Sequence, residues 1–191
     1  MTSPDIFPFS FTICGIGELP EHSAAGMTHV LSILDPDYPD LTAFADYGAH
    51  ARLELRFHDA IDLRPDEDMP QPHHVESLLS FGRDMMAEPG DKRLLVHCHA
   101  GVSRSTASTI LLLAQAMPEL GAAAIMAEVA RRRGKAWPNL RMIEIGDALL
   151  GRGGTLVQAV RDRHREMALK NPNLIRFMAD CGREREVAEF L

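Results

Sequence analysis

Cysteine is scarce in this 191-residue sequence. The three present, Cys14, Cys98 and Cys181, lie far apart, and an odd, sparse set does not make the disulfide framework of a small secreted domain. Positive charge is short as well. Lys and Arg number 20 against 27 Asp and Glu, a net of −7, which leaves no overall field to draw in nucleic acid or an anionic lipid surface. No apolar run approaches the ~18 residues needed to cross a bilayer. The opening MTSPDIFPFSF is broken by two prolines and has no basic stretch, so it does not read as a secretory signal. Repeats, low-complexity tracts and long linkers are missing too. These absences point to a cytoplasmic protein in a reducing compartment, with neither nucleic acid nor membrane as a partner.

What is present is an ordinary globular balance, 46% hydrophobic and 25% charged. Strand-like runs come first. FTICG (11–15) is short and apolar, and THVLSIL (28–34) ends at the proline-rich DPDYPD. ARLELRF (51–57) alternates and runs into DAIDLRPDEDMPQP, an acidic, proline-broken loop, while LLVH (94–97) reads as a short buried strand. Before it, Val75, Leu78, Leu79, Met85 and Met86 recur at helical spacing, with Pro72 near the start and Pro89-Gly90 at the end. Later helices are expected over 105–117, 121–133 and 139–151, with a charged surface helix over 155–170 and a further turn or two in 174–191. Strands followed by helices predict an α/β fold with a small central sheet of about four strands. RRRGK (131–135) reads as the solvated end of a helix, where cations oppose the dipole.

VHCHAGVSRSTAS (96–108) concentrates the chemistry. It fails as a metal knuckle. On a strand His97 and His99 point one way and Cys98 the other, and the CxxC or HxxxH partner that a zinc site needs is missing. No metal and no other cofactor is expected. Packing alone explains LLV but not Gly101, Arg104 and the hydroxyls of Ser103, Ser105, Thr106 and Ser108. A phosphate-holding loop explains every position. Successive N–H groups ahead of a helix form an anion cradle, reinforced by the helix dipole. Gly101 permits the tight backbone, and Arg104 offers a planar fork to two phosphate oxygens. Cys98 sits at the bottom, where the same field favours a thiolate, an activated nucleophile towards phosphorus.

HCHAGVSRS has the spacing H-C-x5-R-S with C-x-x-G-x-x-R inside it, and so resembles the loop of the cysteine-dependent protein tyrosine phosphatases. The AG at 100–101 and SRS at 103–105 are most similar to the dual-specificity branch. As a whole, residues 11–150 resemble the compact, predicted tyrosine phosphatases of bacteria. The resemblance implies a mostly parallel sheet of four to five strands flanked by helices, with a helical C-terminal half. It implies a phosphatase domain over 1–151; residues 152–191 carry no family motif and read as a C-terminal helical extension packed on the same domain. Cys98 would attack phosphorus to give a cysteinyl-phosphate. Arg104 and the N–H groups of His99, Ala100, Gly101, Val102 and Ser103 would bind the phosphoryl oxygens. Ser105 would hydrogen-bond the sulfur in the second step, and His97 would orient the cysteine backbone.

The reaction also needs an acid that later acts as a base, in this family an aspartate on a loop after an upstream strand. The candidates are Asp59, Asp62, Asp66 and Asp68. Asp59 comes first, because it follows ARLELRF in the F-x-D manner of related enzymes; Asp62 is second. Asp59 lies 39 residues before Cys98, a longer spacing than usual, and RPDEDMPQP looks like the insertion that accounts for it. Asp35 is expected to cap a turn with Pro36 rather than border the site. Asn139 is a good N-cap for the helix after WPN, with positioning of water as a second role. Cys14 and Cys181 read as small buried hydrophobes.

The expected activity is hydrolysis of phosphate monoesters, with phosphotyrosine in proteins first and phosphoserine or phosphothreonine beside it. A phosphorylated protein or peptide is then the partner. The loop positions His99, Ala100, Val102 and Ser103 include no lysine, which favours a singly phosphorylated substrate. Two alternatives stay open: a phosphatase of small or lipid phosphate esters, and a pseudophosphatase that binds phosphoprotein without turnover.

Overall fold

The computed structural model describes residues 7–65 and 67–191. Four strands, β1 (Ser10–Gly15), β2 (His29–Leu34), β3 (Ala51–Arg56) and β4 (Arg93–Cys98), form one sheet in the order β1-β4-β2-β3. Every pair is parallel, so the sheet is the four-stranded version of the expected one. The inner strands are covered on both faces, and HVLSIL and LLVHC accordingly read as continuous buried runs. ARLELR, on the edge, is largely half-buried or exposed. Because all strands point the same way, their carboxyl ends gather on one side of the sheet. The segments leaving that side carry Asp35, Asp59 and Cys98, at the place where open parallel sheets bind ligands.

Helix α1 (Pro72–Ala87) starts on a proline, whose missing N–H costs nothing in the first turn, and stops short of Pro89. Helix α2 (Arg104–Ala116) is the central post, buried on every side from Arg104 to Ala114. It is packed by β1, β4, α1, α3 (Ala122–Arg132) and α4 (Leu140–Leu149). With no wet face, its hydroxyls must bond inward: Ser108 and Thr109 donate to the carbonyls of Arg104 and Ser105, both at 2.9 Å.

Helix α5 (Thr155–Lys170) is more than the expected surface helix. It buries Leu156, Val160, His164 and Ala168 and packs on α3 and α4. Beyond it, α6 (Asn173–Asp180) and α7 (Glu184–Val187) close a second apolar cluster around Trp137, Ala168, Met178 and Val187. Trp137 lies flat on His164, with ring centroids 4.3 Å apart. This cluster seats residues 181–187 beside the loop that follows β3.

Candidate active site

The loop between β4 and α2 is shaped by where its carbonyls go. His99 O accepts from Ile16 N (3.0 Å), Ala100 O and Gly101 O from the Arg133 guanidinium (both 2.9 Å), and Val102 O from Trp137 N (3.0 Å). Ser103 O accepts from Ala107 N (3.0 Å) and Asn139 N (3.3 Å). A planar peptide unit points its N–H opposite to its C=O. Five carbonyls tied outward therefore turn the N–H groups of residues 100–104 toward the middle of the loop. The turn demands glycine. Gly101 has φ +67°, and a Cβ there would sit 2.4 Å from the Cys14 carbonyl carbon.

Arg133 corrects the expectation of a solvated basic run. Its side chain turns back to brace the loop and is held by Glu18 through two contacts, 3.0 and 2.6 Å, a bidentate pair. Glu18 also accepts from Gly15 N (2.5 Å). The hydrogen bond from Arg133 outweighs burial, and together with that from Gly15 it takes the Glu18 pKa down to about 2. Arg132 donates to Phe11 O (3.1 Å) and stacks over the Phe11 ring. Arg131, pairing with Glu128, faces water, as does Lys135 at the end of the run.

Inside the loop, Cys98 is buried, and its Sγ lies 3.2 Å from Ser105 Oγ. His97 is fully buried, with Nε2 2.7 Å from Ser32 Oγ; burial pushes its pKa down to about 4, so it is neutral at pH 7. Arg104 is 3% exposed. Its Nη1 donates to Asp35 Oδ1 (2.7 Å) and Phe57 O (2.6 Å), while its buried Nε has no acceptor among the described residues. Asp35 thus borders the site instead of merely capping a turn. His99 stands at the lip with its ring edge-on to Tyr38, and its Nε2 accepts from Asp35 N (3.3 Å).

Asp59 is the described acid candidate that bonds to the loop. Its Oδ1 accepts from Ser103 Oγ (2.7 Å) and Asn139 Nδ2 (2.8 Å), and its Oδ2 from Arg183 Nη1 (3.3 Å). Burial alone would raise its pKa. The charges of Arg183 and Arg104 and the bonds from Asn139 and Ser103 outweigh that and hold the carboxyl below its usual range. Asp62 pairs with Arg185 (3.0 Å) instead. The Asp68 backbone exchanges hydrogen bonds with His58, and Asp66 lies outside the described residues. Asn139 caps α4 as expected, accepting from Met142 N (3.0 Å), but its amide donates to Asp59 and to Ala60 O rather than toward a free water position. Cys14 belongs to the apolar cluster of Leu19, Val30, Phe44 and Leu95 on the sheet face away from Cys98, and burial drives its pKa up to about 12. Cys181 is exposed, not buried.

Glu18, Arg133 and Arg183 were not singled out in the sequence. Arg133 at least lay in a visible basic run; Arg183 had no motif around it. Among the described residues no group of three metal-ligating side chains occurs, and no helix is long and apolar enough to cross a membrane.

The fold recurs in solved structures. The chain superposes on DUSP15 with a TM-score of 0.56 at 18% identity, covering 84% of this chain and 95% of that one. The PTP-2 phosphatase of Cydia pomonella gives 0.55 at 18%, over 73% and 84%. The human tyrosine phosphatase-like serine/threonine/tyrosine-interacting protein gives 0.52 at 21%, over 73% and 87%. No protein-family model and no curated protein matches the sequence. The chain shares the fold of protein tyrosine and dual-specificity phosphatases. That fold is shared by phosphatases and by a protein named as phosphatase-like and interacting, so the function has to be argued from the site.

Proposed function

We propose that the protein hydrolyses phosphate monoesters, phosphotyrosine in proteins foremost with phosphoserine and phosphothreonine beside it, through a cysteinyl-phosphate. The observation that carries this reading is the loop of residues 99–104. Its carbonyls are tied outward, which by peptide planarity turns its N–H groups the other way, Cys98 just before it is buried, and Arg104 Nε is a buried donor in need of an acceptor. An unsatisfied buried donor costs about 1–3 kcal/mol, and a phosphoryl oxygen in the cradle removes that cost.

In the first step the Cys98 thiolate forms the S–P bond while the P–O bond to the leaving group breaks. The departing oxygen takes its proton from the Asp59 carboxyl. Arg104 and the loop N–H groups meet the charge spread over the equatorial oxygens, the work that a metal ion does elsewhere. In the second step the Asp59 carboxylate takes a proton from water, the water oxygen bonds to phosphorus, and the S–P bond breaks. Ser105 Oγ, 3.2 Å from the sulfur, donates to the thiolate as it leaves.

The test compares para-nitrophenyl phosphate, phosphotyrosyl and phosphoseryl peptides and a phosphoinositide, for wild type and Cys98→Ser, with and without a chelator. The expected result is turnover by wild type alone, unchanged by chelation and best on the phosphotyrosyl peptide. Turnover of no ester would replace the enzyme with the phosphoprotein-binding module. A preference for the phosphoinositide would move the substrate class, and loss on chelation would sink the metal-free mechanism.

A further inference from the structure

The segment after α5 carries no motif, yet it reaches the acid. Arg183 is 7% exposed. Its Nη1 donates to Asp59 Oδ2 (3.3 Å) and Ser103 Oγ (3.0 Å), while Nε and Nη2 grip the two oxygens of Glu186 (2.7 and 2.8 Å). Glu186, also buried, accepts from Trp137 Nε1 (2.6 Å) and Leu140 N (3.0 Å). The guanidinium is therefore fixed from behind before it meets Asp59. The same segment straps the loop after β3 at three more points. Arg185 pairs with Asp62 (3.0 Å) and donates to Ile61 O (3.2 Å), and Arg64 donates to Cys181 O (2.7 Å).

We propose that Arg183 is a positioning residue for Asp59, and that residues 152–191 thereby complete the acid half of the site and set the pH range over which it works. This rests on the phosphatase reading above. The charged groups facing Asp59 are Arg183 from the C-terminal segment and Arg104 from the start of α2, with the titratable His99 nearby; Ser103 and Asn139 add neutral donors. When a phosphoryl dianion fills the cradle, its charge answers Arg104, and Arg183 is the fixed cation left beside Asp59. A carboxyl so held is a strong acid but is protonated only at low pH. Activity that needs it protonated falls as pH rises through its pKa. Removing Arg183 raises that pKa, so the alkaline limb moves to higher pH, while the loosened carboxyl delivers its proton less well.

Arg183→Gln alone would strand a buried Glu186, so the informative variant is Arg183→Gln with Glu186→Gln, which removes the charge pair together. In the full chain, kcat/KM is measured against pH for phenyl phosphate, a poor leaving group, and 2,4-dinitrophenyl phosphate, a good one. Expected are a loss of about a hundredfold on phenyl phosphate, little loss on the dinitrophenyl ester, and an alkaline limb about one pH unit higher. Arg183→Lys, which keeps the charge without the fork, should restore the limb and only part of the rate. Equal losses on both esters with an unmoved limb would overturn the proposal, as would wild-type behaviour of Arg183→Lys on both counts. If wild type turns over neither ester, the phosphatase reading fails on its own. The inference is then decided by the carbon-13 titration of the Asp59 carboxyl, which rises in the double variant if Arg183 holds it and stays put if it does not.

Discussion

The two halves of the site are built by opposite means. The phosphate half is one contiguous run, residues 97–105, and its geometry is backbone geometry: carbonyls out, N–H groups in. The acid half is assembled from afar. Asp59 comes from the loop after β3, Ser103 from the loop before α2, Asn139 from the cap of α4, and Arg183 from 124 residues beyond Asp59. Side chains and charges hold it together. A backbone-built cradle tolerates changes at its variable positions but no insertion, because each peptide unit has its own partner. A side-chain-built acid site tolerates a loop as irregular as RPDEDMPQP, yet the loss of one guanidinium loosens it.

Breaking each half in turn should give effects of different kind. Cys98→Ser removes the nucleophile and should lower turnover of every ester on the order of a millionfold, leaving stability near wild type because the replacement hydroxyl can still bond Ser105. Steady-state and burst kinetics check this. Asp59→Asn should cost about 10²–10⁴-fold on phenyl phosphate and far less on 2,4-dinitrophenyl phosphate, whose leaving group needs no proton. The alkaline limb of the pH profile should vanish with it. Inhibition by inorganic phosphate, a readout of the cradle alone, should be nearly unchanged in Asp59→Asn; a large change would mean that the halves are not separable.

That division also sets what could be read in the sequence. The strands, the helix over residues 75–86, the later helices and the loop H-C-x5-R-S all announce themselves locally, through apolar runs, proline and glycine stops, and spacing within nine residues. What was hidden depends on pairing across the chain. The run Arg131–Arg133 looks the same whether it faces water or braces a loop, and only the fold brings Glu18 to Arg133. Asp35 follows a strand like any turn residue until the order β1-β4-β2-β3 sets β2 beside β4, and the fold closes Asp35 on Arg104. Arg183 belongs to a charged segment whose one apolar clue, the cluster around Trp137, forms only when α5 to α7 fold back.

The smallest expected effect tests whether the phosphate half is as self-contained as its backbone suggests. Arg133→Gln frees the carbonyls of Ala100 and Gly101 from their donor. At about 1 kcal/mol of net worth per hydrogen bond, the two bonds together correspond to a fall in kcat/KM of about thirtyfold, equal on good and poor leaving groups and with no shift of the alkaline limb. Its partner Glu18 adds an acid dependence. The folded pKa of about 2 lies below the ordinary 4.5, so the unfolded chain binds the proton more readily. The stabilisation is therefore full above about pH 4.5 and is lost as pH falls toward 2. With 38% of its side chain exposed, the pair is also weakened by salt. Thermal melts of wild type and Glu18→Gln should converge across that window, and in high salt at neutral pH. If instead Arg133→Gln discriminated between leaving groups as Asp59→Asn does, the brace would be acting on proton transfer. The contrast between a backbone-built half and a side-chain-built half would then fail.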